Sequence, residues 1–164
     1  MKSHLMGMNG AEIAAFLRRS RATNSSFQGV FPVDRLPHFV GYPCSIIINS
    51  DPASGAGGHW LAVYIDSFQV GYYFDSYGRR PTDVRVVNFL NSKTVKWRHN
   101  RKRIQGPLST KCGNFCVYFL HEIARGISPS RVLFFFSSYL FYRNDLIVSR
   151  WYRHNASYVL PPWR

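Results

Sequence analysis

The sequence predicts an α+β fold, a central mostly antiparallel or mixed sheet flanked by helices, and three observations carry that expectation. Strand-like segments cluster between residues 45 and 74, ahead of the last helices, rather than alternating with helices along the chain. An apolar stripe at helical spacing follows them, in which Cys112, Phe115, Cys116, Phe119, Leu120 and Ile123 recur every three or four residues. No repeat and no long linker divides the chain, so residues 1–164 read as a single domain.

Each element has its own local reason. Asn9 followed by Glu12 is a capping-box pattern, and Ile13, Phe16 and Leu17 then share one helical face. Arg18, Arg19 and Arg21 suit the negative end of that helix. Pro32, Pro37 and Pro43, interspersed with Gly29 and Gly41, predict irregular structure with extended pieces. Ser45 to Asn49 contains three isoleucines in a row, the composition of a buried strand. A glycine-rich stretch from Asp51 to Gly58 leads into two strand-like segments, His59 to Ile65 and Val70 to Phe74, closed by Asp75-Ser-Tyr-Gly78 and Pro81. Val84 to Leu90 fits either helix or strand. Gly126 stops the apolar-stripe helix, and Ser128-Pro129 begins another that is predicted to run to about Tyr142.

Composition excludes several classes. The chain carries 21 Lys plus Arg against 8 Asp plus Glu, a formal net charge of +13, with 46% hydrophobic and 16% aromatic residues. A basic disordered tail is not so apolar, and 164 residues bury roughly 70% of the unfolded surface, enough for a core. No apolar run approaches the roughly 20 residues of a membrane span, so no membrane partner is expected. The first eight residues hold Lys2 and no apolar segment, so secretion is not expected either. Three cysteines, Cys44, Cys112 and Cys116, are too few for a disulfide scaffold and suit a reducing compartment.

Four residues can assemble a reactive site. With a hairpin turn centred on Ser67, His59 and Asp75 lie directly opposite each other on one face, Cβ atoms roughly 5 Å apart. The carboxylate then accepts the imidazole Nδ1 proton and fixes the tautomer. A strand-end histidine and a turn-forming aspartate account equally for that pair taken alone. With Ser109 or Thr110 as cap, Cys112 falls in the first helical turn, where unpaired N–H groups and the helix dipole favour thiolate. Gly113 beside it leaves room for a substrate backbone. Gln105, on a Gly-Pro loop seven residues before Cys112, can present an amide donor to an oxyanion, although such a glutamine alone is an ordinary loop residue. Cys44 and Cys116 read as core. A metal site from Cys112, Cys116 and His121 lacks the usual zinc spacing and a fourth ligand, so none is predicted. Together the four residues supply a nucleophile, a base, its orienter and an oxyanion donor. His59 precedes Cys112, the reverse of the papain order.

Gly57-Gly-His-Trp60, Tyr73-Phe-Asp-Ser-Tyr-Gly78 and the run from Gln105-Gly-Pro to Cys112-Gly-Asn-Phe-Cys116 and His121 resemble the adenovirus maturation protease family, which is related to the SUMO-deconjugating proteases. The resemblance reaches back to Cys44-Ser-Ile-Ile-Ile-Asn49 and covers roughly residues 44–125. It implies an adenain-like fold with Cys112 as nucleophile at a helix N-terminus, His59 as general base, Asp75 as its partner and Gln105 as oxyanion donor. The adenovirus enzyme has Glu in the third role, whereas Asp matches the wider group. SUMO-type enzymes usually carry Asp before the cysteine, and Lys111 stands there instead, which favours the viral branch. The implied activity is that of a cysteine endopeptidase acting on viral or virus-like precursor proteins at Gly-containing sites, as a monomer, in the host nucleus or the virion. A groove near Trp60 that excludes side chains would suit such sites. The family's activating peptide is held through a disulfide, and Thr94 to Trp97 offers no cysteine for it, so that activator is not carried over and no cofactor is required. The family also binds DNA and is stimulated by it, and the +13 charge independently suits phosphate contacts. Lys96, Arg98, Arg101, Lys102 and Arg103, with Trp97 interleaved, form the expected DNA surface; a solvated loop explains the same run. Two alternatives share these residues: a protease removing ubiquitin- or SUMO-like tags, and a nucleic-acid-binding derivative without turnover.

Overall fold

The structure is a computed structural model that describes residues 7–159. Most of the N-terminal stretch read above for a signal segment lies outside these residues.

Five strands form one mixed sheet in sequential order: β1 (Phe27–Pro32), β2 (Cys44–Asn49), β3 (Trp60–Ile65), β4 (Val70–Phe74) and β5 (Lys96–His99). β2, β3 and β4 pair antiparallel, while β1 and β5 join the two edges in parallel. Five helices accompany them: α1 (Gly10–Arg19), α2 (Val84–Lys93), α3 (Cys112–Ala124), α4 (Pro129–Phe134) and α5 (Phe141–Val159). The expected α+β class is therefore the one found.

The isoleucine run of β2 is buried on both faces, and its alternation divides the core in two. Ile47, with Ala62 and Phe74, faces α1, α3 and α5. Ile46 and Ile48, with Leu61, Val63 and Tyr73, face Val86, Phe89 and Leu90 of α2. Residues 84–90 are thus helical because one sheet face needs a cover, and Val86, Phe89 and Leu90 supply it at helical spacing. The predicted stripe of α3 lies against the opposite face, where the Phe119 ring stacks on Phe74 at 4.4 Å between centroids. The capping box of α1 is complete: Glu12 N–H donates to Asn9 Oδ1, and Asn9 N–H donates to Glu12 Oε2, both at 2.9 Å.

Two expectations need correction. The β3–β4 ladder pairs Ala62 with Phe74 and Ile65 with Gly71, so the turn is centred one position later than Ser67. Asp66 is the cause, since its carboxylate accepts the N–H groups of Phe68 and Val70 at 2.9 and 2.8 Å and stabilises a loop two residues longer than a turn about Ser67. The lengthening is even, so His59 and Asp75 keep a common face but are offset diagonally rather than opposed. The helix begun at Pro129 ends at Phe134 instead of reaching Tyr142. Ser137 Oγ accepts the N–H groups of Tyr139 and Leu140, and the buried Asn144 amide both donates to and accepts from the Ser137 backbone. These side chains take over the backbone bonding that a continuous helix would use.

Phe119 joins α3 to the sheet that carries His59 and Asp75. Phe119→Ala is expected to lower unfolding free energy by about 3–5 kcal/mol, read by urea or guanidinium denaturation, as for other large-to-small aromatic substitutions in a core.

Candidate active site

Cys112 is the first residue of α3, and the N-cap position falls on Lys111 rather than on Ser109 or Thr110. The Ser109 hydroxyl serves the approach to the helix instead, accepting Lys111 N–H at 3.2 Å and donating to Asp145 at 3.0 Å. At this position the thiol is half-buried and lies at the positive end of the helix dipole. Burial opposes its ionisation. A hydrogen bond with His59, backbone hydrogen bonds at Trp60 and Gly113, and the imidazole charge outweigh burial and hold Cys112 below the ordinary thiol range. The other two cysteines go the opposite way. Burial pushes Cys44 up to about 12 and raises Cys116 well above the usual value. Cys116 Sγ donates to the Trp60 carbonyl at 3.3 Å, one turn deeper in the core.

His59 stands immediately before β3, and its backbone N–H donates to Ser50 Oγ at 2.8 Å. Gly58 permits that approach, because a Cβ there would lie 2.5 Å from the same Ser50 oxygen. The ring's Nε2 contacts Asp75 Oδ1 at 2.6 Å. The sequence-based expectation of an Nδ1 contact is therefore reversed: with Nε2 engaged by the carboxylate, Nδ1 is the nitrogen left for Cys112. Burial alone would lower the His59 pKa, but the hydrogen bonds and charges of Asp75 and Cys112 outweigh it and raise the pKa to about 9.

Asp75 is only 3% exposed and is held from several sides. Its Oδ1 also accepts Tyr77 N–H at 2.8 Å. The buried Asn100 side chain clasps its backbone, Oδ1 accepting Asp75 N–H at 3.0 Å and Nδ2 donating to Asp75 O. Tyr77 folds its ring against His59, centroids 4.8 Å apart. Gln105, 1% exposed, is oriented at both ends of its amide. Ser76 Oγ donates to Oε1, and Nε2 donates to Ser109 O at 2.8 Å. That fixes the amide so that its NH2 group points toward the start of α3 and keeps a second N–H to donate. All four predicted site residues thus belong to one neighbourhood, built from the start of β3, the end of β4, the loop after β5 and the N-terminus of α3.

Sequence reasoning missed Ser76 and Asn100. Ser76 directly follows Asp75 and alternates to the other face of the chain, a signal available only once Gln105 is known to lie there. Asn100 sits in a basic run that draws attention to charge and away from one short amide. Gly113 has a different purpose from the one expected. A Cβ there would lie 3.0 Å from Met8 Cβ and 3.2 Å from both Ile13 and Trp60, so the glycine serves close internal packing rather than substrate access.

The basic run is not one uniform surface. Lys96 and Arg98 are exposed on the edge strand β5, and Arg101 is exposed after it. Lys102 donates to Leu133 O at 3.0 Å, and Arg103 donates to Gln105 O at 2.9 Å. Lys102 is half-buried and Arg103 exposed, and both carry these internal hydrogen bonds as well as their charge. His121 pairs with Glu122, and among the described residues no group of three or more His, Cys, Asp or Glu side chains is placed to hold a metal ion. A cavity of about 300 Å³ lies beside the site, lined by Val30, Pro32, Asn49, Pro52, Gly57 and Trp60, among others.

Comparison with known proteins sets this geometry in context. No family model matches the chain. The protease of porcine adenovirus A serotype 3 is 29% identical over a stretch covering 56% of this chain and 58% of that protease. The protease of bovine adenovirus B serotype 3 is 27% identical, covering 73% and 66%. The chain thus spans between about half and two thirds of the length of these relatives. Among solved structures, the ASFV protease matches with a TM-score of 0.63 at 17% identity, over 88% of this chain and 68% of that one. The central domain of an uncharacterised Legionella pneumophila protein matches with a TM-score of 0.54 at 16% identity, over 94% and 98%. The α+β sheet with flanking helices is thus a fold shared with the ASFV protease, and in sequence the chain resembles the adenovirus proteases, the adenain-like family.

Proposed function

We propose that residues 1–164 act as one cysteine endopeptidase domain that cleaves viral or virus-like precursor proteins. The observation that carries this reading is the opposite treatment of three thiols in one chain. Only Cys112, at a helix N-terminus and against a histidine braced by Asp75, is drawn toward thiolate.

The chemistry follows from those positions. The Cys112 thiolate attacks the scissile carbonyl, forming an S–C bond while the carbonyl electrons move onto oxygen. The Gln105 amide and the backbone N–H of Cys112 stabilise that oxyanion. Collapse breaks the C–N bond, and His59 protonates the departing amine. Water, deprotonated by His59, then hydrolyses the thioester and restores the thiol pair. Asp75 holds the ring in orientation and stabilises the imidazolium throughout.

Several finer features belong to the same reading. Cleavage at Gly-containing sites would suit a groove bounded by Trp60, whose indole is fixed by donation to Met8 O at 2.9 Å. DNA association rests on the +13 charge and on the exposed Lys96, Arg98 and Arg101. A monomeric enzyme in the virion or host nucleus, with DNA as activator and no obligatory cofactor, completes the proposal.

Cys112→Ala should abolish turnover of a Gly-Gly-type peptide, and Cys112→Ser should lower it by several orders of magnitude. Peptide cleavage by the alanine variant at the parent rate would remove Cys112 from the nucleophile role. The pH dependence of kcat/KM should be bell-shaped. Its acid limb reports loss of the thiolate, and its alkaline limb near pH 9 reports loss of the imidazolium proton. Asp75→Asn removes the charge that raises His59, so that alkaline limb should move to lower pH in steady-state profiles. For DNA, the combined charge-removing variant at Lys96, Arg98 and Arg101 should reduce the slope of log affinity against log salt by about 1 per lost phosphate contact, with peptide turnover in the absence of DNA unaffected.

A further inference from the structure

We propose that Arg103 is a positioning residue for the oxyanion donor, a role that rests on the peptidase reading above. Arg103 is exposed like its basic neighbours Lys96, Arg98 and Arg101, but its guanidinium is also bonded to the site. Nε donates to the Gln105 carbonyl at 2.9 Å. The same planar group lies over two rings, 5.3 Å from the centroid of Tyr77 and 5.3 Å from that of Phe141. Tyr77 is the ring packed on His59. Phe141, the first residue of α5, packs against Gly106, where a Cβ would lie only 3.1 Å from the phenylalanine Cβ.

Arg103 therefore ties the Gln105–Gly106 backbone to the ring beside the imidazole and to the start of α5. Ser76 and Ser109 set which way the Gln105 amide faces. Arg103 sets where the backbone bearing that amide sits. A donor must meet the oxyanion at hydrogen-bond distance, and a displacement near 1 Å removes much of its effect. A lysine cannot replace this contact, because one ammonium cannot donate in plane to a carbonyl while lying flat on two rings. The histidine side is less dependent on Arg103, since Arg79 also covers Tyr77, 4.8 Å from its centroid.

The test separates thiolate formation from oxyanion stabilisation. Iodoacetamide alkylation of Cys112 needs the thiolate and no oxyanion donor, whereas peptide hydrolysis needs both. Arg103→Ala and Arg103→Lys in the full chain should alkylate at Cys112 within about twofold of the parent rate, with the same pH profile. Both should lose about 10- to 100-fold in kcat on a Gly-Gly-type peptide, with KM nearly unchanged. Arg103→Lys keeps the stem and the charge, so it carries the test should the alanine variant fail to fold. Turnover within twofold of the parent would overturn the proposal, as would full rescue by lysine, or alkylation and turnover falling in parallel. A parent that alkylates but never cleaves peptide would remove the peptidase reading and this role with it. Parent cleavage with undiminished variants would remove the role of Arg103 alone.

Discussion

The contact between the His59 imidazole and the Cys112 thiol joins two parts of the chain that nothing in sequence order connects. One partner ends a glycine-rich loop ahead of the central antiparallel pair; the other begins a helix some fifty residues later. Their meeting depends on α3 lying against the sheet, and the Phe74–Phe119 stack and the Ile47 face of β2 hold it there. Around that contact the polar groups are arranged in order. Asn100 holds the Asp75 backbone, Asp75 holds His59 and Ser76 orients Gln105; all but the half-buried His59 are buried with these hydrogen bonds made. The burial that would otherwise lower the His59 pKa is outweighed because its two partners act in the same direction.

Electrostatics divides the three cysteines more sharply than their exposure does. Cys112 and Cys116 are one helical turn apart on the same stripe, yet one thiol is drawn down and the other driven up. The difference lies in what each thiol meets. Cys112 in the first turn meets His59 and backbone hydrogen bonds at Trp60 and Gly113, whereas Cys116 one turn on is fully buried, with burial as the main cause of its rise. The basic run divides in the same way. Lys102 is half-buried and bonded to a backbone carbonyl, and Arg103 is bonded to one while remaining exposed beside Lys96, Arg98 and Arg101, so net charge alone says little about which cations are free of internal contacts.

Much of the fold could be read from local pattern. The capping box at Asn9, the isoleucine run of β2 and the stripe of α3 each carry a signal strong enough to survive tertiary context. So does the common face of His59 and Asp75, because a period of two tolerates an even change in loop length. What escaped reading depends on atoms distant in sequence. The centre of the β3–β4 turn follows from Asp66. The break after Phe134 follows from Asn144 capturing Ser137. Helix α5 begins at Phe141, just beyond the segment held by that capture. The reason for Gly113 required the positions of Met8, Ile13 and Trp60, none of which is near it in sequence.

If imidazole and helix terminus together ionise Cys112, the folded protein should carry a single thiolate at pH values below the ordinary thiol range. Its absorbance near 240 nm, followed as pH is lowered, measures that state without any substrate. The account predicts a thiolate signal below the ordinary thiol range that disappears in Cys112→Ser and titrates at distinctly higher pH in His59→Ala. A parent protein whose three thiols all titrate at or above the ordinary range, or a signal indifferent to His59, would contradict it.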